Sequence, residues 1–310
     1  MHMEALYMLN YVIFSIFLSL FVIEVGIGVI SLLAYDVYRS SIRRYLLPIW
    51  GMDGTFAVFY LVNLIATYPM LDSVIYAYIV PVLIGAFFFL LRNVFISYSE
   101  YIGDKRLEAL SVKIYGLSTI MMAFVVLSVF TSGVSGIGIS ISQGSASINL
   151  LYMLVNPFNI LMFIVAALIA LFIVGSYFGF GPLSRLKYVM LPLAMLIAIA
   201  SLYLYVPYVF SSIASEYYLL AVSIALMLVS MALTAKGSRL TRYSALLWIL
   251  VSINLFGIAQ YPGLMGGQLH FTDYITGAAG ASAIALLTAV CGSFLAIAIA
   301  LFIYISYVKK

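Results

Sequence analysis

The sequence predicts an all-α integral membrane protein of about nine transmembrane helices. Three observations carry that prediction: 66% of the 310 residues are apolar, only 8% are charged, and the mean hydropathy is +1.21, values outside the range of water-soluble domains. A soluble chain of this length needs a charged exterior, and 14 basic with 10 acidic residues are too few to cover one. Lipid therefore contacts much of the surface.

A bilayer core about 30 Å thick takes roughly 20 apolar residues of helix. Nine such runs occur, at 6–34, 47–67, 73–96, 113–132, 151–177, 187–208, 217–235, 242–260 and 279–307. The first has no basic segment before it and no small-residue cleavage site after it, so it reads as a retained helix rather than a leader. The second opens at Pro48, and the third closes near Arg92. Between the third and fourth, residues 98–112 carry Glu100, Asp104, Lys105, Arg106 and Glu108 and read as a solvated turn or short interfacial helix. After the fourth, the Gly- and Ser-rich stretch 133–148 is too polar to span and reads as a loop. The runs are continuously apolar, without the alternation of barrel strands, so helices are predicted throughout. No soluble domain or short repeat interrupts them, and residues 1–310 form one polytopic membrane domain.

Charge sets the orientation. All fourteen Lys and Arg residues fall in alternate connections: Arg39, Arg43 and Arg44; Arg92, Lys105, Arg106 and Lys113; Arg185 and Lys187; Lys236, Arg239 and Arg242; Lys309 and Lys310. The other connections have none, which places the N-terminus outside and the C-terminus in the cytoplasm. The net charge of +4 is thus a topology signal and does not imply nucleic acid. Cys291 is the only cysteine, which excludes an internal disulfide or a CxxC site, and it reads as a small buried hydrophobe.

Ionisable groups at bilayer depth are costly and mark functional sites. Glu24 is deep in the first run, and its neighbours Gly26 and Gly28 permit close approach of another helix. It reads either as a proton-relay or cofactor-proximal carboxylate, or as a carboxyl satisfied by a Ser, Asn or Tyr of a neighbouring helix. Asp53 reads either as a second such acid or as an ordinary partner of Arg43 or Arg44. Arg92 reads as an arginine snorkelling to the interface. Asn63, Asn156, Asn159, Asn254 and Gln260 read as interhelical hydrogen-bond partners. The two histidines, His2 near the terminus and His270 in an outer loop, are poorly placed to ligate a heme. There is no phosphate-binding loop, metalloprotease motif or nucleophile elbow, and no metal site is predicted.

In order along the chain, several elements resemble subunit II of the cytochrome bd quinol oxidases. They are Glu24-Val-Gly-Ile-Gly28, Pro48-Ile-Trp50, Ala66-Thr-Tyr-Pro69, Phe88-Phe-Leu-Leu-Arg92 with Tyr98 beyond it, Asn156-Pro-Phe158, Gly257-Ile-Ala-Gln-Tyr-Pro262 and Ala279-Gly-Ala-Ser282. The chain departs from the family pattern where Gly51 follows Trp50, leaving Asp53 as the nearest acid, and where Ser97-Tyr-Ser99 replaces an acid-aromatic-basic triplet. The resemblance implies a divergent branch in a prokaryotic cell membrane. It implies a heme-bearing partner, subunit I, that holds heme b, heme d-type groups and the quinol site. This chain then binds no cofactor alone, and a structural quinone or lipid between its helices is left open. Its own role is support of subunit I and a proton path from the cytoplasm through Glu24 and Asp53, with Trp50, Arg92, Tyr98 and Asn156 as structural or interface residues. The readings set against this one are a secondary transporter or channel and a quinone-handling membrane anchor of another oxidoreductase.

Overall fold

The computed structural model describes the chain except residues 1, 69–75, 102–103, 143–144, 181–185, 239, 275–277 and 304–310. Pro69, Arg185, Arg239, Lys309 and Lys310 lie outside the described residues, as do the side chains of His2, Arg242 and Ala279.

Helix dominates because lipid offers no partner for backbone N–H and C=O groups, so each apolar run must satisfy its own. Helix α1 (His2–Thr67) is broken at Ala34, whose φ of −154° and ψ of 40° are non-helical. Its two halves fold back on each other. Asn10 Nδ2 donates to Thr67 Oγ1 at 3.0 Å, and the rings of Phe14 and Tyr60 lie 4.8 Å apart. So α1 supplies the two antiparallel passes predicted at 6–34 and 47–67. The start of the second half, just after the break, carries Arg39, Arg43 and Arg44 and marks the basic end.

Helices α2 (Ile79–Tyr101) and α3 (Lys105–Ser135) follow. The segment 98–112 is therefore not a separate solvated connection. Asp104 caps α3 by accepting the Arg106 N–H at 2.7 Å, so the helix begins well before residue 113 and its first turns bury Glu108 and Ser111. The stretch 133–148 also differs from a plain loop. Gly136, in the left-handed region at φ 74°, ends α3. Strand β1 (Ile139–Ser142) then pairs antiparallel with β2 (Ser145–Ile148), Ile139 opposite Ile148. The alternating Ile-Ser pattern of Ile139–Ser142 is the two-residue period of a strand.

The predicted run 151–177 is divided into α4 (Leu150–Leu154) and α5 (Pro157–Tyr177). Pro157 lacks an N–H and is costly inside a helix, whereas at a first turn, with Asn156 as the cap, it fits. Helices α6 (Lys187–Tyr205), α7 (Pro207–Ser215), α8 (Tyr217–Ala235) and α9 (Thr241–Gln260) complete the middle of the chain. The short hairpin of β3 (Gly263–Leu264) and β4 (Leu269–His270) leads to α10 (Ala278–Ile303). Among the described residues seven helical segments are long and apolar enough to cross a membrane. The two passes of α1 and the 26 residues of α10 bring the passes to nine.

Helix α1 lies at the centre, packed against α3, α5, α9 and α10. Polar stitches hold it there. Asn254 of α9 donates to Ser15 Oγ at 2.7 Å, Tyr7 OH donates to the Gly257 carbonyl at 2.8 Å, and Asn63 donates to Thr288 of α10 at 2.9 Å. Gln260 accepts from Tyr11 of α1, and away from α1 Asn159 of α5 accepts from Thr131 of α3. Cys291 is exposed on α10, beside an apolar groove lined by Phe59, Val62 and Phe294. The expectation that it is buried is thus overturned. In a membrane the outward face of a helix is as apolar as the core, so an apolar run does not say which way a residue points.

Candidate functional site

Four residues from four passes meet inside the bundle: Glu24 and Asp53 from the two halves of α1, Arg92 from α2 and Tyr115 from α3. Each is 0% exposed. Arg92 grips both acids. Its Nη1 donates to Glu24 Oε2 and, at 3.2 Å, to Asp53 Oδ2, while Nη2 donates to Asp53 Oδ1 at 3.2 Å. The planar guanidinium suits this two-pronged contact, which a lysine could not reproduce. Tyr115 OH donates to the other oxygen of Glu24. Phe89 flanks the guanidinium, its ring centroid 4.8 Å from the guanidinium carbon, a cation–π contact strengthened by the dry surroundings. Arg92 Nε has no hydrogen-bond partner among the described residues.

Local sequence explains why these groups meet. Helices α1 and α3 touch backbone to backbone at Gly28 and Gly116. A Cβ added to Gly116 would lie 2.7 Å from the Gly28 carbonyl oxygen, and one added to Gly28 would lie 3.0 Å from that of Gly116. Tyr115, next in sequence to Gly116, is thereby carried to Glu24, one turn from Gly28. Gly26 abuts α5, where a Cβ would stand 3.2 Å from the Ala170 carbonyl oxygen. The glycines flanking Glu24 thus let two helices close around it. Glu24 lies ten residues before the Ala34 break, roughly 15 Å of helix rise from the basic end.

Arg92 does not snorkel as expected, and of the two readings of Asp53 the pairing with Arg43 or Arg44 is set aside, because Arg92 and Asp53 find their opposite charge within the bundle. Arg43 binds Glu100 at 2.9 Å and Glu108 at 3.3 Å instead. Of the remaining candidates, Trp50 stands close by, its Nε1–H donating to Asn93 at 2.6 Å beside Arg92. Tyr98 is more than half exposed. Asn156 is buried elsewhere, capping α5 through the Asn159 N–H at 3.0 Å.

Sequence reasoning missed Tyr115 and Glu108. Glu108 is almost fully buried and accepts from Tyr35 OH at 2.6 Å, Arg39 Nε at 2.9 Å and Arg43. A signal was present: Glu108, Val112, Tyr115, Thr119 and Met122 follow the helical spacing of a single buried stripe. Among the described residues no group of three or more His, Cys, Asp or Glu side chains is arranged to hold a metal ion, and His270 is exposed in β4.

Fold and site together define a multi-pass, all-α protein of the cell membrane with an ionic cluster sealed in its interior. The family model for cytochrome bd terminal oxidase subunit II matches residues 3–309, and the chain belongs to that family. It is accordingly a subunit of a quinol oxidase of the respiratory chain. The solved structure of bd oxidase from Geobacillus thermodenitrificans resembles it with a TM-score of 0.79 at 17% identity, covering 100% of this chain and 99% of that one. At that identity the likeness bears on the fold. No curated protein matches the chain. The family leaves the transporter and anchor readings without support.

Proposed function

We propose that this subunit supports a heme-bearing partner, subunit I, and carries part of a proton path from the cytoplasmic side, with the Glu24–Arg92–Asp53 triad as its proton-holding element. One observation carries the reading: two carboxylates and one guanidinium share a site with no exposed surface. Arginine stays charged in proteins. Ionising both acids would leave a net negative charge in the bilayer interior, where unpaired charge is costly. A neutral site therefore retains one proton between Glu24 and Asp53. Arg92 fixes the two acceptors, and Tyr115 donates to the oxygen of Glu24 that Arg92 leaves free. The positive-inside pattern makes the basic end cytoplasmic. On that side Tyr35 and Glu108 meet, about three turns from Glu24 along α1, just past the Ala34 break, and about two turns from Tyr115 along α3; the buried hydroxyls of Ser31 and Ser111 lie at intermediate positions on the two helices. The hemes and the quinol site belong to the partner in this reading, and no step on this chain passes through them.

The test is Glu24→Gln in the intact oxidase. The variant should copurify with the heme-bearing chain and retain its visible spectrum, while quinol-dependent oxygen consumption falls on the order of 10²-fold, the scale of removing a positioned proton-transfer group. Normal turnover with normal assembly would reduce Glu24 to a packing role. A stable complex lacking any heme-bearing chain would remove the partner reading as well.

A further inference from the structure

At the basic end the cations fall into two sets. Arg39 and Arg43 are neutralised by Glu108 and Glu100. Lys105, Arg106 and Lys113 form no ion pair among the described residues, and they line an open cleft of about 360 Å³ together with Ala109, Leu110 and Asp36. Three cations face one carboxylate there, leaving the cleft positive by two charges.

The cleft continues into the apolar part of the surface. Residues 106, 110, 113, 117 and 121 share one face of α3, because steps of three and four return to the same side of a helix. Leu110, Leu117 and Met121 are exposed along it, running from the cations toward the middle of the span. An anion bound at the head of this stripe would sit at the membrane surface with a greasy track directly beneath it. The geometry points to a site for an anionic phospholipid, its phosphate held by Lys105, Arg106 and Lys113 and one acyl chain laid along Leu110, Leu117 and Met121. Basic pockets between helices at a membrane surface bind such headgroups. A free phosphate would use the cations without the track, and an acidic protein segment would not need the track to continue into the membrane. The site depends neither on proton transfer nor on the identity of the partner chain.

The test is native mass spectrometry of the detergent-purified protein with the chains that copurify with it, titrated in separate arms with phosphatidylglycerol, phosphatidylcholine and inorganic phosphate. The wild-type protein should retain phosphatidylglycerol over phosphatidylcholine, and the K105Q/R106Q/K113Q variant should lose that preference by roughly tenfold or more. Asp36→Asn removes the lone carboxylate and should tighten phosphatidylglycerol binding, a gain that misfolding cannot imitate. Equal retention of the two lipids, or an unchanged preference in either variant, overturns the site. So does saturable phosphate binding with no lipid retained. Loss of a copurifying chain from the triple variant with its lipid complement unchanged would assign the cleft to a protein instead.

Discussion

The interior triad and the network at the basic end use the same parts list and reach different states. Inside, one arginine faces two carboxylates and a tyrosine: Arg92 with Glu24, Asp53 and Tyr115. At the basic end, two arginines face two carboxylates and a tyrosine: Arg39 and Arg43 with Glu108, Glu100 and Tyr35. The second set balances its own charge and reaches solvent, since both arginine side chains are 37% exposed. The first set carries one cation against two acids, and none of its four residues is exposed; in the proposed reading a proton makes up the balance. Counting charges, rather than cataloguing residue types, separates the site proposed to hold a proton from a latch between helices.

The sharpest way to break this comparison is Arg92→Met. It strands two buried acids and should cost about 3–5 kcal/mol, read as collapse of expression and a lowered unfolding temperature in detergent. Neutralising the acids as well, in Arg92→Met with Glu24→Gln and Asp53→Asn, should recover much of the stability and none of the proposed proton transfer. Next in size, Gly116→Ala should cost about 1–3 kcal/mol, because the added methyl meets backbone that must part for it. Tyr115→Phe removes one donor to Glu24 and should cost about 1 kcal/mol, leaving the fold intact. Smallest is Arg43→Gln, expected to shift stability by less than about 1 kcal/mol, with the wild-type contribution fading at high salt. A thermal-shift series over these variants orders them. An Arg43→Gln effect as large as that of Arg92→Met would erase the distinction between the two regions.

The passes were legible because lipid makes hydropathy a direct readout of burial depth, and the glycines beside Glu24 correctly announced close packing. The pairing of the charges was not legible. Arg92 near a helix end looks like an interfacial arginine until the second half of α1 is seen to bring Asp53 alongside. That register arises from the fold-back at Ala34, and an alanine in an apolar run carries no mark of it. Tyr115 escaped for a related reason: tyrosine is at home in a membrane helix, and only its seven-residue spacing from Glu108 on a buried stripe sets it apart. Cys291 shows the limit from the other direction, since apolar neighbours describe lipid and core alike. The β1–β2 hairpin was hidden by its composition, although the alternation of Ile and Ser spelled a strand.

The chain order of the triad bears on how the protein is made. Glu24, Asp53 and Arg92 all belong to the first three passes, the two arms of α1 and then α2. A ribosome has therefore delivered every charge of the cluster before α3 emerges. An insertion machine that kept those three segments together could release them to lipid as a neutralised package, whereas each charged segment alone would resist leaving the aqueous channel. Biogenesis should then be most sensitive to mutation at Arg92, the last of the charges to arrive.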